Sequence, residues 1–470
     1  MKTTSKAKII RSRKEVSVPK DPNSFLKKLI WLYILLWIFE GALRKWVVPA
    51  LSMPLLVVRD PIVLWLLVLT AQRKLIPGSI YYGGMVFLGF LSLLTAIMIG
   101  HGDLYVAIYG ARTMILYFPM IFVIGYVFNV EDVKKVGKWL LIISIPMTVI
   151  LFLQFYSPQS AWINRGVGGD EDGAGFGGAL GYFRPPGTFS FTNGTTYFYS
   201  LVAPFIVYFW LNPKSINKRI LLLATGALMI AIPLSISRAL FLQVAVTVIF
   251  LVFAISNKPK YFARTVMAIV LVVVALFAFQ GVGSFRTATE AFSSRFEGAN
   301  ESEGGLVEGV LGERFLGKLV KAVTGSGESV FGYGVGSGTP LGAKLLKTDI
   351  ISSAADFEWI REIGELGLMG LLVIALRVGL AVKLTVMSFR ALKADNLLPW
   401  LLTSVGSIVV LQGQWHQPTA LGFCALVGGL WLGSLRRPRK LKPKNINLKK
   451  SPAAVLQVQD TDTLSATPTT

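Results

Sequence analysis

The sequence predicts an all-α polytopic membrane protein with about twelve transmembrane helices and one large outer loop between the ninth and tenth. Three observations lead there. The 470-residue chain is 53% hydrophobic and only 15% charged, with a mean hydropathy of +0.60, too apolar for an ordinary soluble domain. Charge-free runs of helix length recur, such as Ile220–Ser235 and Val266–Gln280. These runs are continuously apolar, whereas strands of a transmembrane barrel alternate. The net charge of +22 is concentrated in the connections and tails, where it fits anionic lipid rather than nucleic acid.

Residues 1–25 read as a basic, uncleaved cytoplasmic tail, since "MKTTSKAKIIRSRKEVSVPK" leads into an apolar run without a small-residue cleavage site. A membrane domain over 26–435 follows. Its expected spans are 26–43, 54–71, 77–99, 105–127, 139–156, 191–211, 219–237, 239–256, 265–282, 362–385, 397–413 and 419–435. With the N-terminus inside, the inner connections read "AQRK", "NVEDVKKVGK", "NPKSINKR", "NKPKYFAR" and "FRALKAD". All are basic, the positive-inside pattern. Two long outer connections remain, 157–190 and 283–361, the second carrying Glu290, Glu297, Glu301, Glu303 and Glu308 among its bases. Residues 436–470 are basic and then polar, a second cytoplasmic tail ending in a disordered segment. The protein is therefore expected to be a multi-pass membrane protein with both termini cytoplasmic.

Ionisable residues inside spans are costly and mark function by default. Glu40, Arg44, Arg59, Asp60, Arg112, Arg238, Glu362 and Glu365 all fall in the outer halves of their spans, while Arg377 lies deeper. Each could be one half of a structural ion pair. Taken together they describe a wet, cationic cavity open to the outside, suited to an anionic headgroup on a lipid tail, with Arg59 and Arg112 among its ligands. Arg184 stands in "LGYFRPPGTFSFTNGTTYFYS", where Pro185 and Pro186 restrict the backbone and fix the direction of the side chain. A guanidinium donates two parallel hydrogen bonds and keeps its charge when partly desolvated, which suits a diphosphate. Its alternative role is an interfacial anchor.

Several chemistries lack their residues. With Cys424 the only cysteine and His101 and His416 the only histidines, neither an intrachain disulfide nor a His-rich catalytic zinc site can be built. No G-x-x-x-x-G-K-[ST] sequence occurs. The G-x-G-x-x-G at Gly173, Gly175 and Gly178 follows an acidic turn rather than a strand, so neither metal nor nucleotide cofactor is expected. The second outer loop ends in "SSAADFEWIREIGELGLMGLL". Its acids either suit the helix dipole or include a general base, placed to take a proton from an attacking hydroxyl.

These pieces together resemble the bacterial O-antigen ligase and O-antigen polymerase (Wzy-type) superfamily over roughly Gly181 to Gly370. "FRPPGTFSFTNGTTYF" is similar to that family's R-x-x-G-T-F…N segment, and "SISRA" to its Ser-Arg pair at an outer helix break. "GERFLGKLVKAVTGSGESVFGYGVGSG" resembles its arginine, short helix and Gly-x-Gly turn. "DFEWIREIGELGLMG" resembles its H-N-x-x-L-x-x-L-x-E-x-G-L-x-G segment. The resemblance implies that Arg238 and Arg314 engage the diphosphate of an undecaprenyl-diphosphate-linked oligosaccharide, with Arg184 in the entry segment. The ligases' histidine falls at Asp356, which leaves the base between Asp356 and Glu358 and favours a polymerase over a ligase. The implied reaction is metal-independent, inverting transfer of the lipid-linked glycan to an acceptor glycan or glycolipid at the outer face. The ligase branch would instead attach finished polymer to lipid A-core or protein. A secondary transporter or flippase for an anionic solute is the reading from another class, but it places sites at the midplane of repeated halves, and no repeat is seen here.

Overall fold

The computed structural model describes residues 21–256, 283–303, 330–347 and 358–438, and the residues from Asn23 to Pro438 among them belong to one compact unit. It is mostly helical. Seven helical segments are long and apolar enough to cross a membrane: Pro54–Gln72, Ile80–Met98, Leu104–Val127, Val130–Tyr156, Thr192–Leu211, Arg238–Ile255 and Leu368–Lys393. The protein is thus helical and membrane-embedded. The count differs from the expected twelve for stated reasons. Helix α1, Ser24–Ala42, fills the first expected span but carries Lys27, Lys28 and Glu40. Helix α8, Lys218–Leu234, has 17 residues, and α14 (Leu397–Gln412) and α15 (Pro418–Ser434) have 16 and 17. The expected span 265–282 lies outside the described residues.

The elements between them follow from local signals. Helix α2 is Asp60–Gln72 and α3 is Ile80–Met98. Asp103 caps α4, Leu104–Arg112, by accepting from the Tyr105 and Val106 amides at 2.9 and 3.0 Å. A π-turn over Thr113–Tyr117 joins α4 to α5, Phe118–Val127. Helix α6 begins at Val130, nine residues before the expected 139, because Asn129 and Asp132 form a reciprocal capping box. The loop expected over 157–190 carries a small antiparallel hairpin, β1 (Gly177–Ala179) and β2 (Tyr182–Phe183), before α7, Thr192–Leu211. The corner between α8 and α9 (Arg238–Ile255) is three residues long, with Ile236 at φ +46° and the Ser237 hydroxyl accepting from the Leu240 amide. Helix α10 is Gly283–Glu303 and α11 is Pro340–Leu346.

The expected span at 362–385 is corrected. Gly367, at φ +58°, separates α12 (Glu358–Leu366) from α13 (Leu368–Lys393). A side chain at Gly367 would fall on the Val330 carbonyl, which accepts from the Leu368 amide at 3.0 Å. Glu362 and Glu365 therefore stand on a short helix ahead of the span rather than inside it.

Helix α15 is the centre of the unit, buried at every one of its residues, as a helix apolar all round must be. Glycines let its neighbours approach: Gly428 and Gly429 meet Ile121 and Ile124 of α5, and Gly125 of α5 meets Leu432. Helix α7 packs against this centre, whereas α3 and α9 leave Phe87 and Ile249 exposed on faces suited to lipid. Replacing Gly125 by leucine should wedge α5 from α15 and lower stability by about 1–3 kcal/mol, the usual cost of overpacking. Gly226 has open space around it, so Gly226→Leu should leave the thermal midpoint unchanged. Equal midpoints for both variants in a detergent melt would contradict this seam.

Candidate functional site

The chain at Arg184 is held from below. The Arg184 amide donates to the Phe176 carbonyl at 2.9 Å, closing the hairpin that delivers it. After Pro185 and Pro186, Gly187 adopts φ +62° and is clamped on both sides. Its amide donates to Gln154 Oε1 at 2.7 Å, and its carbonyl accepts from Lys45 Nζ at 2.7 Å and Gln154 Nε2 at 3.2 Å. Thr195 Oγ1 of α7 donates to the Pro185 carbonyl at 3.3 Å. Lys45 and Gln154 are both buried, so an ammonium and an amide are spent on fixing one backbone corner. The Arg184 side chain is aimed rather than tethered. Its Nε is buried without a partner.

Two further arginines converge on it. Arg238 is the first residue of α9, and Arg295 of α10 donates from Nη1 to the Gly178 carbonyl of β1 at 3.0 Å. Burial, with Arg295 and Arg238 close by, pushes the Arg184 guanidinium down to about 10. It stays charged at neutral pH, but at a cost that an anion would relieve. No carboxylate pairs with Arg184 or Arg295 among the described residues. The N-terminus of α9, capped by Ser237, brings the positive end of its helix dipole to Arg238.

Arg59 and Arg112 are placed otherwise. Arg59 Nε lies 3.1 Å from Glu40 Oε2, and its Nη2 donates to the Pro418 carbonyl at 2.6 Å. Glu40 also receives Arg44 Nη1 at 3.4 Å. Arg112 Nη1 pairs with Asp60 Oδ2 at 2.6 Å, and the Tyr117 hydroxyl donates to Asp60 Oδ1. All of these groups are buried or nearly so. They form three ion pairs, two of them sharing Glu40, that tie α1, α2, α4 and α15 together. π-Turns at Leu43–Val47 and Thr113–Tyr117 adjoin them, each inserting a residue that re-aims the side chains of its helix.

The acids of α12 form a second buried network. Arg361 stands between Glu358 (2.6 Å) and Glu365 (2.6 Å), reachable because the spacings are i,i+3 and i,i+4. Arg377 of α13 pairs with Glu362 at 2.5 Å, reaches Glu358 Oε1 at 3.5 Å and lies over the Trp415 ring. His416 Nδ1 meets Glu358 Oε2 at 3.0 Å. Glu365 also accepts from the Gly336 and Gly338 amides at 3.1 and 2.8 Å. The loop Gly332–Gly338 is thereby stitched to α12, and Gly336 is pressed so closely on α4 that a side chain would strike the Val106 carbonyl.

The first turns of α7 link the arginine cluster to this network. Thr196 Oγ1 bonds Ser237 Oγ, ahead of Arg238, at 2.9 Å. The next residue, Tyr197, donates from its hydroxyl to Gln414 Oε1 at 3.2 Å, and Asn193, one turn earlier, bonds Gln414 and Gln417, in the segment that carries His416. Of the residues expected in the site, the structure brings Arg184 and Arg238 together. It places Arg59 and Arg112 in ion pairs and encloses Glu358 completely. Arg314 and Asp356 lie outside the described residues. Arg295, Lys45, Gln154 and His416 were not anticipated. Only Arg361 had a readable signal, its spacing from Glu358 and Glu365.

Removing Arg361 should leave buried carboxylates without a counter-charge. Arg361→Met is expected to cost about 3–5 kcal/mol. Adding Glu358→Gln should return part of the loss, read as the thermal midpoint of the purified variants. An Arg361→Met protein as stable as wild type would show that the network is not closed as described. Compared with known proteins, the chain matches no family model, no curated protein and no solved structure.

Proposed function

We propose that this chain is a membrane-embedded glycosyltransferase that moves a glycan from an undecaprenyl diphosphate carrier to an acceptor sugar, polymerising O-antigen or exopolysaccharide repeat units. The observation that carries this reading is the convergence of Arg184, Arg238 and Arg295 beside the mouth of α7, with Arg184 lacking a carboxylate partner and held on a clamped corner. A polyanion is the ligand that suits such a cluster. In this reading the chain crosses a bacterial plasma membrane twelve times with both termini cytoplasmic, counting 265–282, and the arginines open on the outer face. Arg314, which the family resemblance adds to the diphosphate ligands, lies outside the described residues.

The chemistry follows from charge. As the anomeric carbon–oxygen bond breaks, negative charge gathers on the leaving lipid diphosphate, and guanidinium forks bind that charge more tightly than the ground state. A carboxylate removes the proton of the attacking acceptor hydroxyl, the new glycosidic bond forms, and a single displacement inverts the centre. Glu358 is held by Arg361, Arg377 and His416 and suits the task of shaping the site, which leaves Asp356 as the base. Arg59 and Arg112 act one layer out, holding the helices rather than the donor.

Two measurements test this. Pyrophosphate, or a lipid diphosphate, should raise the thermal midpoint of the purified chain by mass action, and Arg184→Gln should abolish the rise. The affinity should fall as pH approaches 10, where Arg184 loses its charge. No rise with either anion overturns the donor site. In the host, deletion should collapse the surface glycan ladder to one repeat unit. Arg238→Lys, which keeps charge but loses the fork, should slow transfer roughly tenfold or more. A retained lipid-linked polymer with bare acceptor would identify a ligase, and an unchanged glycan would reject both.

A further inference from the structure

Away from the arginine cluster, α1 and α6 enclose an apolar cleft of about 260 Å³. Trp31, Leu35 and Ile38 of α1 form one wall, and Trp139, Leu140 and Ile143 of α6 form the other. On each helix the lining recurs at i, i+4 and i+7 or close to it, so a continuous stripe faces the gap. The cleft runs seven residues along α1, or about 10 Å at helical rise. Trp139 and Leu35 are 54% and 44% exposed, so the cleft opens sideways, where an embedded chain meets lipid.

One end of the cleft is closed and charged. Trp31 and Trp139 meet edge to face with ring centroids 6.4 Å apart, the amphipathic pair that a bilayer interface favours. One turn further out, Lys27 of α1 and Asp132 of α6 pair at 2.7 Å. Lys28, the next residue of α1, and Lys135 are both exposed, the latter 4.0 Å from Asp132. Two ammonium groups, Lys27 and Lys135, thus lie within 4.0 Å of one carboxylate, which is itself engaged in the α6 capping box, while Lys134 is matched by Glu131 and Lys28 adds a further positive charge on α1. An apolar slot with surplus positive charge at its interfacial end matches a lipid with a negative headgroup.

We propose that the cleft between α1 and α6 binds one anionic phospholipid, with an acyl chain between Leu35 and Ile143 and the headgroup phosphate on Lys28 and Lys135. The site needs neither the sugar donor nor any catalytic step, so it stands or falls separately from the transferase reading. Phospholipid rather than polyisoprenoid carrier is the occupant because the headgroup end lies with the lysines of α1 and α6. The arginine cluster belongs to other elements, the β1–β2 hairpin, α9 and α10.

The test is native mass spectrometry of the full chain in detergent, titrated with phosphatidylglycerol and with phosphatidylcholine of the same acyl chains. Wild type should retain one phosphatidylglycerol in preference. Lys28→Gln with Lys135→Gln should weaken phosphatidylglycerol binding on the order of twentyfold, since each basic residue near the surface is worth about a factor of five. Phosphatidylcholine binding should not move. Both lysines are exposed, so this pair does not threaten folding. Ile143→Trp, which fills the slot, should weaken both lipids, and Leu35→Trp makes the same test from the opposite wall. Equal retention of the two lipids by wild type, undiminished phosphatidylglycerol binding in the lysine pair, or full binding in both slot-filling variants would each overturn the proposal.

Discussion

A guanidinium carried into an apolar helical bundle must meet a carboxylate, because leaving either charge unpaired there costs several kcal/mol, and the arrangement of this protein follows from where those meetings occur. Arg59 with Glu40 and Arg112 with Asp60 join α1, α2 and α4 to the start of α15. Arg361 and Arg377 with Glu358, Glu362 and Glu365 join α12 to α13, to the loop around Gly336 and to the segment carrying His416. Burial of α15 supplies the apolar driving force. The ion pairs decide which faces of its neighbours turn inward.

Against that rule Arg184 is the exception that carries information. Its corner is among the most firmly held stretches of backbone in the molecule, with Lys45 and Gln154 both converging on Gly187. Yet the charge delivered there finds other arginines instead of an acid. Like charges brought close together raise one another's electrostatic energy. An anionic ligand recovers that energy on binding, which is how a site can be selective for a polyanion without contacting much of it.

The two charged regions are not independent. Successive turns of α7 hold Ser237 through Thr196 and the Gln414–Gln417 segment through Tyr197 and Asn193. Glu365 meanwhile shares its carboxylate between Arg361 and the backbone of Gly336 and Gly338. The glycine loop and Glu358 are thus joined through Glu365 and Arg361, and α9 and the turn that carries His416 through α7. Such contiguous polar contacts carry coupling when both arrangements are well packed.

The sequence by itself determined the helical, membrane-embedded class, since runs of apolar residues at helix length admit no other satisfied backbone in lipid. It also determined the stiff Arg184 corner, written in Pro185 and Pro186, and the i,i+3 and i,i+4 ladder of α12. These are local features, set by residues within a few positions of one another. What only the tertiary structure decided is which charges are spent. Arg59, Arg112 and Arg184 look alike in the sequence, each a lone arginine near the end of an apolar run. Their fates differ because Glu40 lies within reach of Arg59 and Asp60 within reach of Arg112, while Arg184 meets Arg238 and Arg295. Likewise the break at Gly367 depends on the distant Val330 carbonyl, which moved Glu362 and Glu365 off the expected span. Partners separated by tens to hundreds of residues leave no periodicity to read, so pairing in a low-dielectric interior is settled by the fold alone.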